Sequence, residues 1–274
     1  MSKYINPYTD FGFKKLFGEE ANKDLLIDFL NQLLPEHHQI AELEFRNSES
    51  LADMSHERKA IFDIHCQSKS GEKFIVEMQK AKVNFFKDRS LFYSTFPIRE
   101  QAKRGEWDFR LTPIYMIAIL DFRYDEEEER QKFLRSVNLK DQDEDVFYDK
   151  LTFKFIQMPL FMKEEHELES HFDKWIYFLK TLERFEEIPK ILQEPIFEKA
   201  FSVAELAKMT PMQYEEYQES LLTYIEVKEV AKTAENDGRK KREIEIAQKL
   251  KSMGFSKVQI QEATGLSNEE IDGL

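Results

Sequence analysis

Apolar and polar positions along the chain fall first into a helical rhythm and then into alternation. Asp10–Phe17 (DFGFKKLF) is amphipathic, with aromatics at Phe13 and Phe17, which predicts a short helix. Asn22 stands where it can cap a second helix reaching to about Leu34. Its apolar positions Leu25, Leu26, Phe29, Leu30, Leu33 and Leu34 recur at helical spacing, and Pro35 ends it. Three strands are expected next. Residues 40–46 alternate as IAELEFR, 59–68 read KAIFDIHCQS after a polar loop, and 73–79 read KFIVEMQ after a turn at Lys69, Ser70 and Gly71. An aromatic and basic helix over 86–104 follows, with Gly105 as its stop. Residues 113–123 (PIYMIAILDFR) are nearly continuously apolar and predict a buried central strand.

Beyond an acidic run at 125–129, residues 151–160 (LTFKFIQMPL) alternate as another strand, and 172–182 (FDKWIYFLKTL) form an amphipathic helix. From Pro189 the chain reads as helical, with a long polar stretch over 216–242 and a further helix over 243–253 that Gly254 terminates. Ser256-x-x-Gln259 and Ser267-x-x-Glu270 fit the capping-box pattern. They start two short helices separated at Gly265. The order helix, three strands, helix, strand predicts an α/β (α+β) fold. A mixed sheet is flanked by helices and followed by a helical C-terminal extension. The expected division is a core over 1–165, a helical extension over 166–240 and a small helical tail over 241–274.

Composition narrows the function. Hydrophobic residues make up 41% of the 274 positions, enough for a core. Gly and Pro number 8 each, which favours helices and regular strands over a loop-rich sandwich. The single cysteine, Cys66, excludes an intramolecular disulfide and a cysteine-based zinc cluster, and fits a reducing cytoplasm. No apolar run approaches a membrane span, and residues 1–10 lack the apolar centre of a signal peptide. No G-x-G-x-x-G occurs, and Gly12 and Gly18 are too far apart for a phosphate loop. The net charge is −13, so a role on nucleic acid must rest on a local basic patch.

The two strands around Ser70 carry the candidate chemistry. Alternation puts Phe62, Ile64 and Cys66 on one face with Phe74, Val76 and Met78, as a core side. The opposite faces hold Ile61, Asp63, His65 and Gln67, and Lys73, Ile75, Glu77 and Gln79. An odd-numbered loop centred on Ser70 sets Asp63 across from Glu77. Opposed carboxylates repel, and a divalent metal is one counter-charge, with magnesium suiting such oxygen donors. Between Gln79 and Arg110 the basic residues Lys80, Lys82, Lys87, Arg89, Arg99, Lys103, Arg104 and Arg110 face only the acids Asp88, Glu100, Glu106 and Asp108. A positive strip beside a carboxylate pair suits a phosphodiester. The competing reading is structural: Asp63 and Glu77 as rim carboxylates on an exposed polar face, paired with Lys73, Lys80 or Arg89. His65 then belongs to the polar face and Cys66 to the core.

This order of elements, with Asp63 followed by E-x-Q (Glu77, Met78, Gln79), resembles the PD-(D/E)XK nuclease superfamily. More narrowly, it is similar to the recombination-promoting nuclease (Rpn) and transposase-like group. The residues that carry the resemblance are Asp10–Phe17 with Gly18, Phe62-Asp63-Ile64, Ile75–Gln79, Phe86, Arg89, Ser90, Tyr93, Gly105 and Ile114–Leu120. It spans about residues 4 to 235. It implies a restriction-endonuclease-like core in which Asp63 and Glu77 hold magnesium or manganese, with the Met78 carbonyl as third ligand. Gln79 stands where the superfamily usually has lysine and can orient water but supplies no charge. Lys80 alternates to the other face, so Arg89 is expected to supply the cation, and Asp10 and Lys14 to complete the site. Lys14, Lys80, Lys82, Arg89, Lys103 and Arg104 are the expected DNA contacts.

The implied function is a magnesium-dependent DNA endonuclease acting in recombination or as a transposase-like protein. DNA is its partner, no membrane is involved, and a homo-oligomer is left open. Two other readings stand beside it. One is a catalytically inactive DNA-binding or oligomerisation module, which the polar stretch 216–242 and the capped tail suit. The other is a host-defence nuclease with the same chemistry. Residues 244–274 resemble a small resolvase-type helix-turn-helix, preceded by Arg239, Lys240, Lys241 and Arg242. The alternative for them is a capped helical hairpin, because 267–274 carry three acids and no basic residue.

Overall fold

A computed structural model describes residues 2–46, 62–102, 108–124 and 132–274. Among the described residues six strands form one mixed sheet: β1 (Leu43–Phe45), β2 (Ile64–Ser68), β3 (Lys73–Gln79), β4 (Ile114–Leu120), β5 (Leu134–Lys140) and β6 (Val146–Gln157). Their order is β1-β2-β3-β4-β6-β5. The pairs β3–β4 and β4–β6 are parallel, and the outer pairs are antiparallel. Every residue of β4 is buried, which is why its sequence reads as an unbroken apolar run at the centre of the sheet.

Helices cover both faces. On one lie α1 (Asp10–Phe17), α2 (Lys23–Asn31), α4 (His171–Thr181) and α5 (Pro195–Ala204). Their Phe13, Phe17, Phe29, Trp175 and Phe197 pack over Ile64, Cys66, Phe74, Val76, Ile117 and Ile119. The other face carries α3 (Phe86–Arg99), whose Phe86 and Phe96 join Ile75, Met116, Ala118 and Phe155. Phe62 belongs to this second cluster and not to the first as alternation predicted. It precedes β2, so the strand parity does not extend to it. The face expected to be polar and open is therefore roofed, and His65, Lys73 and Glu77 on it are buried.

Local sequence explains the details. Thr9 caps α1 by accepting from the Gly12 N–H at 2.9 Å. Gly12 has to be glycine because a Cβ there would lie 2.1 Å from the Asn6 carbonyl oxygen. Asn22 does occupy the N-cap position of α2, but its side chain turns back and donates to the Lys15 carbonyl at 2.8 Å. α2 ends before Leu33 and Leu34, which stay buried in the following turn. α3 ends at Arg99, short of the expected 104. The predicted stop at Gly105 lies outside the described residues. β5 was not predicted, and β6 begins five residues before the 151 start that alternation gave. Register shifts occur at Asn138/Leu139 and Leu139/Lys140 on this edge strand.

The chain forms two compact units, Met1–Tyr224 and Ile225–Leu274. α6 (Pro211–Ser252) contributes to both. Its first turns bind the N-terminus: the Tyr217 hydroxyl accepts from the Asn6 N–H at 2.9 Å, and the Ser220 hydroxyl from the Phe11 N–H at 3.0 Å. The second unit adds α7 (Lys257–Thr264) and α8 (Asn268–Asp272) around Ala247, Ile260, Leu266 and Ile271. Both predicted capping boxes form. Lys240 pairs with Glu270, so this cation of the basic cluster is engaged within the unit. Among the described residues no helix is long and apolar enough to cross a membrane.

Candidate active site

The site is built on the β2–β3 hairpin. Ile64 pairs with Val76, Cys66 with Phe74 and Gln67 with Lys73. The loop is tight: the Gly71 N–H donates to the Ser68 carbonyl at 3.1 Å, and Gly71 takes a φ of +103°. A left-handed residue closing a short odd loop is the usual device for such a hairpin. Carried one step further, the same register sets Asp63 opposite Glu77.

Hydrogen bonds lock the pair. The Asp63 N–H donates to Glu77 Oε1 at 3.3 Å, and the Met78 N–H donates to Asp63 Oδ2 at 2.7 Å. Gln79 Nε2 donates to the other Glu77 oxygen at 3.0 Å. Glu77 is only 2% exposed. Burial drives its carboxyl above the usual range, Asp63 adds repulsion, and the Asp63 N–H, Arg89 and Gln79 pull it back only in part. The Asp63 carboxyl is also raised, first by burial and further by Asp10, against the Met78 N–H, Lys14 and Lys80. Both carboxylates thus hold protons more tightly than in water, the mark of a site short of positive charge.

α1 and α3 approach the pair from opposite sides. On the α1 side lies a cleft of about 420 Å³ lined by Lys14, Lys15, Arg46, Asp63, His65 and others. Lys80 Nζ binds Asp10 at 2.9 Å, and its charge bears on Asp63. Lys80 thus lies on the α1 face, opposite Glu77 and Gln79, where alternation puts it, yet its charge still reaches Asp63. On the α3 side a small pocket is lined by Glu77, Gln79, Arg89, Ser90 and Tyr93. Arg89 acts electrostatically on Glu77, with its guanidinium 4.9 Å from the Tyr93 ring centre. Lys73 pairs instead with Glu100 at 2.8 Å, which removes it as a partner for the carboxylates. Lys82 and Lys87 are exposed. Lys103 and Arg104 lie outside the described residues.

One neighbour was missed. Asp121 directly follows β4, its N–H donates to the Gln79 carbonyl at 2.9 Å, and its carboxylate accepts from the Tyr224 hydroxyl at 2.8 Å. The signal was present in I-L-D-F-R: an acid at the carboxyl end of a parallel strand, where open α/β sheets bind ligands.

The donor set fits a hard divalent cation. A buried Glu77 and a half-buried Asp63, both short of positive charge, supply oxygen ligands, and magnesium commonly uses one or two carboxylates with waters and substrate phosphate. Among the described residues no group of three or more His, Cys, Asp and Glu side chains forms a larger metal cage.

A mixed sheet flanked by helices, with facing acids on an antiparallel hairpin beside parallel strands, has the architecture of a restriction-endonuclease-like core. The model for the PD-(D/E)XK nuclease family transposases matches residues 7–241, and the chain belongs to that family. Comparisons with curated proteins and with solved structures return no match.

Proposed function

We propose that this chain is a metal-dependent DNA endonuclease that hydrolyses phosphodiester bonds, acting in recombination or as a transposase-like protein in the cytoplasm. The observation that carries the reading is the interlocked Asp63–Glu77 pair, with Glu77 buried and Asp63 half-buried. Two acids held together with one out of water are costly unless a cation joins them. Asp63 and Glu77, with the Met78 carbonyl, would hold magnesium or manganese. The ion, when bound, supplies positive charge for the phosphate and a more acidic water.

The remaining work belongs to the chain. Gln79 fixes Glu77 through its amide and can orient the attacking water. Arg89 brings positive charge to the Glu77 side, where charge develops on the phosphate. Lys14 and Lys80 bring it to the Asp63 side, and Lys82 and Arg89 extend it toward the DNA. The narrower placement in the Rpn group rests on E-x-Q in place of the superfamily's E-x-K. A host-defence nuclease would use the same residues on foreign nucleic acid.

The test is nicking of supercoiled plasmid in magnesium by wild type, Asp63→Ala and Glu77→Ala, with a chelator control. Magnesium-dependent nicking lost in both variants supports the reading. Equal nicking by all three proteins overturns it, and no nicking at all leaves the inactive DNA-binding module as the better account.

A further inference from the structure

A second concave surface lies on the same face of the sheet as Glu77. It is a groove of about 610 Å³ between α3 and the β5–β6 ribbon. Its floor includes Tyr124, Phe153 and Phe155, and Leu91, Val137 and Leu139 stand along its walls. Those three aliphatic side chains are 54%, 42% and 44% exposed, an apolar display that folding alone does not use. Lys87, Lys132 and Arg135 also line it, with no carboxylate among its described lining residues. Such a cluster stands out in a chain of net charge −13. The Lys87 ammonium lies 5.3 Å from the Tyr124 ring centre and the Arg135 guanidinium 5.9 Å from it.

The groove continues from the candidate active site. Ser90 lines both it and the small pocket holding Glu77, Gln79 and Arg89. Phe86 packs on Phe155 at 5.3 Å and on Tyr124 at 5.9 Å between ring centres. We infer that this groove seats an unpaired stretch of the DNA substrate next to the scissile phosphate, stacking bases on its apolar surface and holding phosphates with Lys87, Lys132 and Arg135. Two properties select that occupant. The cations match a polyanion, and the apolar walls match base faces that only an unpaired strand exposes. A duplex hides those faces and offers mainly phosphates and groove edges. The inference rests on the nuclease reading for its purpose but not for its measurement.

The experiment is fluorescence anisotropy of full-length protein in chelator, with labelled oligo-dT, oligo-U and a blunt duplex. The variants are Lys87→Glu/Lys132→Glu, both at exposed positions, and the conservative Lys87→Arg/Lys132→Arg, with thermal melting to confirm folding. The charge-reversed protein is expected to bind oligo-dT at least about tenfold more weakly. Its duplex binding should change less than about twofold, and the arginine pair should restore the wild-type value. The slope of log affinity against log salt for oligo-dT should fall by about 1.4. Equal losses on duplex and single strand, or unchanged oligo-dT binding, would overturn the groove assignment. Tighter binding of oligo-U than oligo-dT would overturn its assignment to DNA. Plasmid nicking in magnesium separates the two ideas. Nicking without groove-dependent oligo-dT binding overturns only the groove, and groove-dependent binding without nicking supports the groove and overturns the nuclease.

Discussion

The Asp63 backbone N–H donates to Glu77 Oε1 at 3.3 Å, while the Asp63 carboxylate accepts from the N–H of Met78, the residue after Glu77. Each acid is thus held by main chain of the opposite segment, and neither can swing away to relieve the repulsion. Asp63→Asn and Glu77→Gln keep an acceptor oxygen but remove one charge. Each should stabilise the metal-free protein by about 1 kcal/mol while abolishing magnesium-dependent nicking. Urea titrations in chelator and the plasmid assay read the two effects separately.

The same pair sets a pH dependence with a definite sign. Both folded-state carboxyls are raised above their unfolded values. The native state therefore binds more protons than the unfolded state across that interval, and stability falls as pH climbs from the ordinary carboxylate range through the raised values. Wild type should lose stability relative to Glu77→Gln over this window in chelator. Magnesium should shrink the difference at the upper end, because binding requires the deprotonated acids. A wild-type-minus-variant profile that is flat with pH would refute it.

Arg89 is the cation nearest in effect to Glu77 on the α3 side. Arg89→Ala is expected to lower kcat about 10²-fold with little change in KM, the pattern of a charge that matters most as the phosphate reacts. Gln79→Lys should retain cleavage and partly rescue Arg89→Ala, since it returns an ammonium to the strand position the superfamily uses. Steady-state kinetics on a plasmid or oligonucleotide duplex decides.

Far from the carboxylate pair, His171 joins three helical segments. Its Nε2 lies 2.7 Å from Asp28 on α2, its Nδ1 3.3 Å from Glu194 before α5, and Trp175 donates to the same Asp28 oxygen at 2.6 Å. The bond to Asp28 raises the imidazole's proton affinity. Burial opposes ionisation of Asp28, but the bonds from His171 and Trp175 outweigh it and hold that carboxyl low. The contribution is fully present below the unfolded histidine value. It is lost as pH rises through the raised folded one, and also as pH falls through the lowered aspartate one. His171→Gln should cost about 1–2 kcal/mol near pH 5 and much less near pH 9, by denaturant midpoints at the two pH values.

Gly12→Ala forces a methyl against the Asn6 carbonyl at a site where both partners are backbone. The loss should be about 3 kcal/mol, read by chemical denaturation. The shift of α1 should also loosen the Asp10–Lys80 pair.

Much of this architecture can be read from the residues because burial writes itself into the pattern. β4 is buried end to end and reads as an apolar block. The odd loop around Ser70, with Gly71 free to take positive φ, fixes the parity that brings Asp63 to Glu77. Helix caps at Ser256 and Ser267 are likewise local and legible. What stayed hidden depends on distant partners. β5 is an edge strand whose outward positions mix Arg135, Val137 and Leu139, so no face declares itself. The roof of α3 over Lys73, Glu77 and His65 follows from tertiary packing, which a polar alternation cannot announce. Lys80 keeps its strand parity, and the docking of α1 is what sets Asp10 beside it, while Asp121 reaches the Gln79 carbonyl because β3 and β4 end side by side.

The sheet's two margins have a consequence for self-association. β1 has only three residues, and the register shifts at Asn138–Lys140 interrupt the other margin, β5. A strand from another molecule can add only along a straight row of main-chain donors and acceptors, and a bulge twists that row out of alignment. A short strand on one side and an irregular one on the other deny such a template. Among the described residues, then, the sheet's edges offer a poor template for the edge-to-edge stacking that seeds fibrous aggregates, despite many β-branched and aromatic side chains.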